Sequence, residues 1–176
     1  LRELGARVFL DLKLHDIPNT VAKATAAARE LDVEFLTLHA AGGSAMWKAA
    51  HAEAGAIKLL GVTVLTSFND AEWKTTSLSS STISQTVAAW SQATQSWGAS
   101  GWVCSAHELP QLPAGGYRLV PGIRLPGAQA NDQARVASPG QAAQKGASGI
   151  VLGRSLLSLT DPVKGLQSVV EDLRSV

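Results

Sequence analysis

The chain has 176 residues, 45% of them apolar and 16% charged, with a formal net charge of +1. That suffices for about one domain with a sizeable core, and it shows neither a basic patch suited to nucleic acid nor a Lys/Arg run suited to a membrane surface. The single cysteine, Cys104, excludes an internal disulfide and suits a reducing compartment; no apolar run reaches the roughly 18 residues of a spanning helix, and neither a signal-peptide pattern nor a metal-ligand spacing such as C-x-x-C or H-E-x-x-H is present.

Leu1-Arg2-Glu3-Leu4 followed by Gly5 reads as the last turn of a helix with its C-terminal glycine, so the chain is expected to begin inside a repeating pattern. A strand is predicted over Arg7–Lys13, then a helix from Pro18 to Leu31, with proline at a first helical position. Strand Glu34–Leu38 runs into His39-Ala40-Ala41-Gly42-Gly43, and a helix follows over Ser44–Ala54. Strand Ile57–Leu65 ends in Thr66-Ser67, after which a serine-rich polar loop leads to a helix over Ser81–Trp97. Strand Gly101–Cys104 ends in Ser105, with a short helix around His107–Gln111. Strand Tyr117–Val120 ends in Pro121-Gly122-Ile123-Arg124, and a long loop precedes a helix from about Ser138 to Lys145. Strand Gly149–Leu152 ends in Gly153-Arg154-Ser155, and the last helix opens at Asp161-Pro162, an N-cap followed by proline. Six β/α units in alternation imply a parallel sheet with right-handed crossovers.

In an α/β barrel the strand ends share one rim, where sites are built. The densest charge lies in Asp11–Thr20, DLKLHDIPNT. On a regular strand Asp11 and Lys13 point to the same side. Opposite charges on one face are costly unless paired, and useful if a reaction needs them. An isolated D-x-K is equally the pattern of a structural ion pair. Gly153-Arg154 after a strand has the grammar of a phosphate site, since glycine admits close backbone approach and arginine a bidentate contact; a turn with a solvated arginine has the same letters. The loop from Pro121 through Gln133 has the length of a lid or of a merely mobile loop. Thr66 and Ser105 can hydrogen-bond a ligand or act as cap and turn residues. His15 and His39 suit acid–base work, although a hydrogen-bonded structural histidine is the simpler reading. His51 and His107 fall in helical, solvated stretches. Cys104 reads as a buried apolar filler rather than a nucleophile, with no base evident beside it.

The string FLDLKLHDIPNTV resembles the signature of the orotidine 5′-phosphate decarboxylase family, in its bacterial branch. LTLHAAGG, GVTVLTS, VCSAHEL, LVPGIR with the later NDQ, and GIVLGRS with the later DP resemble that family's subsequent strand ends, in order and across essentially the whole chain. The D-x-K-x-x-D core is shared with other phosphosugar-processing barrels; the continuation I-P-N-T and the PGIR/LGRS pair are specific. The resemblance implies an α/β fold, a parallel (β/α)8 TIM barrel, with residues 1–176 forming one barrel domain that holds about six of the eight units. The first two units are then expected upstream, where the family has an aspartate that holds the ribose and a lysine that pairs with Asp11, and little turnover is expected of this stretch alone.

The resemblance further implies a metal-free and cofactor-free decarboxylation of orotidine 5′-phosphate to UMP, in de novo pyrimidine biosynthesis, by a cytoplasmic homodimer with shared active sites. Carried over by position, Lys13 is the proton donor to pyrimidine C6, Asp11 lies beside the substrate carboxylate, and Asp16 completes the charge network, reaching with Ile17 and Thr20 into the neighbouring subunit's site. Thr66 and Ser105 contact the ligand, Ser105 at the pyrimidine, and Arg124, Gln133, Gly153 and Arg154 bind substrate around the phosphate. Two readings compete: a related Mg²⁺-dependent phosphosugar decarboxylase or synthase, and an inactive fragment that binds nucleotide phosphate or only folds.

Overall fold

The structure is a computed structural model that describes residues 4–125 and 135–176. The elements are β1 (Phe9–Leu14), α1 (Pro18–Glu30), β2 (Phe35–His39), α2 (Gly43–Glu53), β3 (Lys58–Val62), α3 (Asp70–Ser77), α4 (Ile83–Ser96), β4 (Gly101–Val103), β5 (Tyr117–Val120), α5 (Pro139–Gln144), β6 (Gly149–Ile150), α6 (Arg154–Leu157) and α7 (Pro162–Arg174). Strand order in the sheet follows chain order, β1 to β6. β1 runs parallel to β2, β2 to β3, and β5 to β6, as β/α alternation requires. By contacts the chain divides into two compact units, Leu1–Thr63 with Ala88–Trp102 and Pro113–Gly116, and Val64–Val87 with Val103–Leu112 and Tyr117–Val176.

The first unit is built on a continuous apolar cluster. Leu36, Leu38 and Leu59 from β2 and β3 meet Val21 and Ala28 from α1 and Met46, Trp47 and Ala50 from α2. α1 forms because Pro18 pre-sets its first turn and alanines fill its middle. Its buried face is Val21, Thr25 and Ala28, spaced as one helical stripe, and the Thr25 hydroxyl is satisfied by donating to the Val21 carbonyl at 2.8 Å. Each large aliphatic side chain buried in this cluster contributes about 1.5–3 kcal/mol. Trp47 and Trp102 are fully buried, and each indole N–H has a partner: Trp47 donates to the His39 carbonyl and Trp102 to Thr94 Oγ1, both at 3.0 Å. Gly5 takes φ +73, a conformation open to glycine; the helical turn expected before it falls on Leu1–Glu3, outside the described residues.

In the second unit, α5 is capped by Ser138 and Gln141 acting reciprocally, and its Gly140 amide donates to Asp172 Oδ2 of α7 at 2.7 Å. A Cβ there would meet Asp172 Oδ1 at 2.9 Å, so a larger residue would force Asp172 to shift. Glu108 and Arg135 form an ion pair at 2.6 Å with side chains only 7% and 13% exposed. Arg135 also donates to the Leu65 carbonyl at 2.9 Å.

Several boundaries differ from the sequence expectation. β1 covers Phe9–Leu14 rather than Arg7–Lys13. β3 stops at Val62, not Leu65, because its partner β2 ends at His39, the last residue paired with it. β6 has two residues, since Pro121 and Gly122, the latter at φ +76, turn β5 away after Val120. α3 lies in the stretch expected to be loop; Asn69 and Glu72 form a capping box that starts it. The short helix expected over His107–Gln111 is a 3-10 turn at Leu109–Gln111, and α6 adds a turn of helix directly after Gly153.

The buried ion pair yields a prediction. Arg135→Met leaves Glu108 as an uncompensated buried charge and is expected to cost about 3–5 kcal/mol in urea unfolding, whereas replacing both partners by apolar residues of similar volume is expected to be near neutral. An Arg135→Met protein as stable as the parent would show that this pair does not hold the second unit together.

Candidate active site

In the first unit, Leu10 of β1 pairs with Leu36 of β2 and Leu14 with Leu38, so four residue steps on one strand face two on the other. The surplus is taken up as a bulge, the device that re-aims side chains beside sites. Within it Lys13 adopts φ +50, a left-handed conformation rare for a residue with a side chain. Lys13 Nζ forms an ion pair with Asp11 Oδ2, and the two side chains are 42% and 40% exposed. Thr37, the β2 residue between the two register points, is fully buried. Its hydroxyl donates to Asp11 Oδ1 at 2.8 Å and accepts from the Lys13 amide at 2.8 Å. The expectation that Asp11 and Lys13 share a side is met, through a bulge rather than through regular strand alternation.

His39, at the end of β2, stacks in a tilted arrangement with His15, ring centroids 5.2 Å apart. Its pKa lies below the ordinary 6.5, first because burial disfavours the imidazolium, then because His15 and Lys13 add positive charge, with Asp11 opposing. His39 is therefore neutral at pH 7.

Asp16, Ile17 and Thr20 lie together at the start of α1, all exposed. Asp16 Oδ1 accepts from the Ile17 amide at 2.6 Å, and the Ile17 carbonyl accepts from the Thr20 amide at 3.1 Å. Ile17 is 66% exposed, as are several other large apolar residues, Leu78, Leu157 and Val163 among them.

In the second unit, Arg124, Gly153 and Arg154 come together. With Pro121, Gly122 and Val151 they line a cavity of about 130 Å³, small beside the roughly 300–1,000 Å³ of pockets for whole drug-sized ligands and suited to a single group. Ser155 Oγ donates to the Ile123 carbonyl at 3.0 Å, tying the start of α6 to the turn after β5. The Arg124 amide donates to the Ala137 carbonyl at 3.0 Å, and Arg124 Nη1 to the Ile123 carbonyl at 3.1 Å, while Arg124 Nε is buried without a hydrogen-bond partner among the described residues. A side chain on Gly153 would meet no atom within 4 Å, so open space adjoins its backbone.

Ser105 is buried, and its Oγ accepts from the His107 amide at 3.1 Å. Burial, followed by the charge of Glu108, pushes the neighbouring Cys104 thiol up to about 12, so it stays protonated at neutral pH, as a core filler rather than a nucleophile would. Thr66 lies in the turn four residues beyond β3, half-buried, rather than at a strand end. Gln133 and the loop of which it is part, from residue 126 on, lie outside the described residues. His51 and His107 are exposed. Among the described residues, no three His, Cys, Asp or Glu side chains are grouped as metal ligands, and no helix is long and apolar enough to cross a membrane.

Sequence reasoning missed Thr37. Its signal was a lone hydroxyl in the apolar strand FLTLH, easily taken for another β-branched core residue.

A sequence model of the "Orotidine 5'-phosphate decarboxylase / HUMPS family" matches residues 1–169. The chain is 43% identical over 177 residues to the orotidine 5′-phosphate decarboxylase of Oenococcus oeni, covering 98% of this chain and 78% of that protein. It is 39% identical over 180 residues to the enzyme of the same name from Cutibacterium acnes, covering 98% and 76%. Among solved structures, that of orotidine 5′-phosphate decarboxylase from Lactobacillus acidophilus superposes with a TM-score of 0.82 at 32% identity, over 97% of this chain and 77% of that one. The decarboxylase from Pyrococcus horikoshii OT3, at a TM-score of 0.74 and 20% identity, shares the fold.

The depressed pKa of His39 makes stability depend on pH. Below its ordinary 6.5 the unfolded chain binds a proton that the folded chain resists, so stability present above that pH falls as the medium is acidified. The melting temperature is expected to drop between pH 7.5 and pH 5.5, and to drop less in His39→Asn; equal drops in the two proteins would remove His39 from the acid response.

Proposed function

The chain belongs to the orotidine 5′-phosphate decarboxylase / HUMPS family, and from that premise we infer that it decarboxylates orotidine 5′-phosphate to UMP in pyrimidine biosynthesis, with Lys13 delivering the proton to C6. The observation that carries the assignment to Lys13 is its ion pair with Asp11, held on a strand bulge and open to solvent.

Loss of CO₂ from C6 leaves an electron pair in the plane of the pyrimidine ring, where no π system spreads it. The site must meet that charge with a fixed positive group already in place. An ammonium is a compact charge that also carries the proton which quenches the carbanion. Asp11 orients Lys13 and stands where a substrate carboxylate would be crowded by a second negative charge, which loss of CO₂ relieves. Each turnover breaks the C6–CO₂ bond, leaves its electrons on C6 and moves one proton from Lys13 to that carbon.

The cavity between Arg124, Gly153 and Arg154 takes the 5′-phosphate in this reading, with the guanidinium of Arg124 or Arg154 as charge partner and Gly153 leaving its backbone open to an anion. Gln133 joins them by position in the family pattern. Grip on this remote group can be spent on organising the reacting end. Thr66 and Ser105 contact the nucleotide, Ser105 at the pyrimidine. The exposed trio Asp16, Ile17 and Thr20 serves a second copy of the chain, giving a homodimer in which Asp16 completes the partner's charge network, as their positions in the family pattern imply. A cytoplasmic location accompanies that activity.

The test is the loss of ultraviolet absorbance of orotidine 5′-phosphate, followed with the natural gene product. Lys13→Ala is expected to lower kcat by at least about 10⁴-fold, as befits removal of both the charge and the proton. Turnover is expected to survive EDTA. Undiminished turnover in Lys13→Ala would exclude the assigned proton donor, and abolition by EDTA with rescue by Mg²⁺ would favour a metal-dependent phosphosugar lyase.

A further inference from the structure

We propose that Thr37 is a positioning residue for this decarboxylation, acting through the Asp11 carboxylate and the Lys13 backbone without touching substrate. The inference rests on the functional reading of Lys13 given above.

Thr37 is the β2 residue between the two points where the register of β1 is defined, so the bulge holding Asp11, Leu12 and Lys13 is wound around it. The strand it belongs to, FLTLH, is otherwise apolar up to His39, and Thr37 is fully buried. A valine would have the same shape there without the cost of desolvating a hydroxyl. The hydroxyl both accepts and donates. It accepts from the Lys13 amide at 2.8 Å, and its own proton goes to Asp11 Oδ1 at 2.8 Å. Because an amide can only donate and a carboxylate here can only accept, the direction of both bonds is determined.

Two consequences follow for the charged pair. One carboxylate oxygen of Asp11 is anchored, which fixes the rotation of the group and presents Oδ2 to Lys13 Nζ. The left-handed Lys13 residue, whose amide the bulge has turned toward β2, keeps that amide satisfied. An ion pair about two-fifths exposed is weak and loosely oriented by itself. A hydroxyl on the buried strand beneath it supplies the orientation that the pair lacks, in the way that supporting hydrogen bonds fix the groups that act directly.

The experiment compares wild type, Thr37→Val and Thr37→Ser in the natural gene product, by steady-state kinetics on orotidine 5′-phosphate and by hydrogen exchange at the Lys13 amide resolved by fragmentation mass spectrometry. Thr37→Val is expected to lower kcat by about 10- to 100-fold with KM changed less than about threefold, because geometry at the reacting end is lost while the phosphate grip is kept. Exchange at Lys13 is expected to rise about tenfold in Thr37→Val, with Leu36 and Leu38 unchanged, and both readouts are expected to return toward wild type in Thr37→Ser. Unchanged kcat in Thr37→Val, unchanged Lys13 exchange, or a Thr37→Ser protein as impaired as Thr37→Val would each overturn the proposal. If the Val variant does not fold, Thr37→Ser against Thr37→Ala gives the same comparison. Absence of turnover in the wild type would count against the functional reading instead, and the exchange measurement would still judge the role of Thr37.

Discussion

Four residue steps of β1 have to be matched to two of β2, and the charged site depends on how that mismatch is absorbed. A regular strand would leave Asp11 and Lys13 as successive outward residues on one pleat, each free to choose its rotamer. The bulge spends one left-handed residue, Lys13, and uses a hydroxyl from the neighbouring strand to satisfy the amide so displaced. The result is a cation and an anion held to one another and to a buried strand, while both side chains stay about two-fifths exposed.

The rest of the first unit keeps that neighbouring strand still. Leu36 and Leu38 flank Thr37 and are buried without residual exposure, and Trp47 of α2 locks the carbonyl of His39 at the strand's end. Interiors packed this way respond to small volume changes and transmit strain. The strand that carries Thr37 is thus held by apolar contacts with α1 and α2.

The second unit solves a different problem, that of holding arginine beside a small cavity. Arg124 is fastened through its own backbone to Ala137, and the Ile123 carbonyl accepts from both Arg124 Nη1 and Ser155 Oγ, so the turn after β5 and the start of α6 share one acceptor. Gly122 at φ +76 makes that turn possible. Arg135 is bonded to Glu108 and to the Leu65 carbonyl, as a structural arginine whose charge is met within the fold.

The alternation of elements, the α/β class and the polar character of the strand ends were legible in the chain alone, because apolar runs of strand length, alanine-rich helical stretches and Pro or Gly punctuation are local properties. The charged run from Asp11 to Asp16 and the Gly153-Arg154 turn were legible for the same reason. α3 was not read, although Asn69 and Glu72 spell its capping box, because the surrounding polar residues resemble a loop. Where β3 and β6 stop was decided by their neighbours, since a strand lasts only as long as the backbone beside it stays in register. Sequence by itself determined which charged residues would stand at the strand ends. Only the tertiary structure decided that Lys13 would leave the regular strand conformation and that a buried threonine would hold it to Asp11, because a register mismatch and a hydrogen bond between two strands exist only once those strands lie side by side.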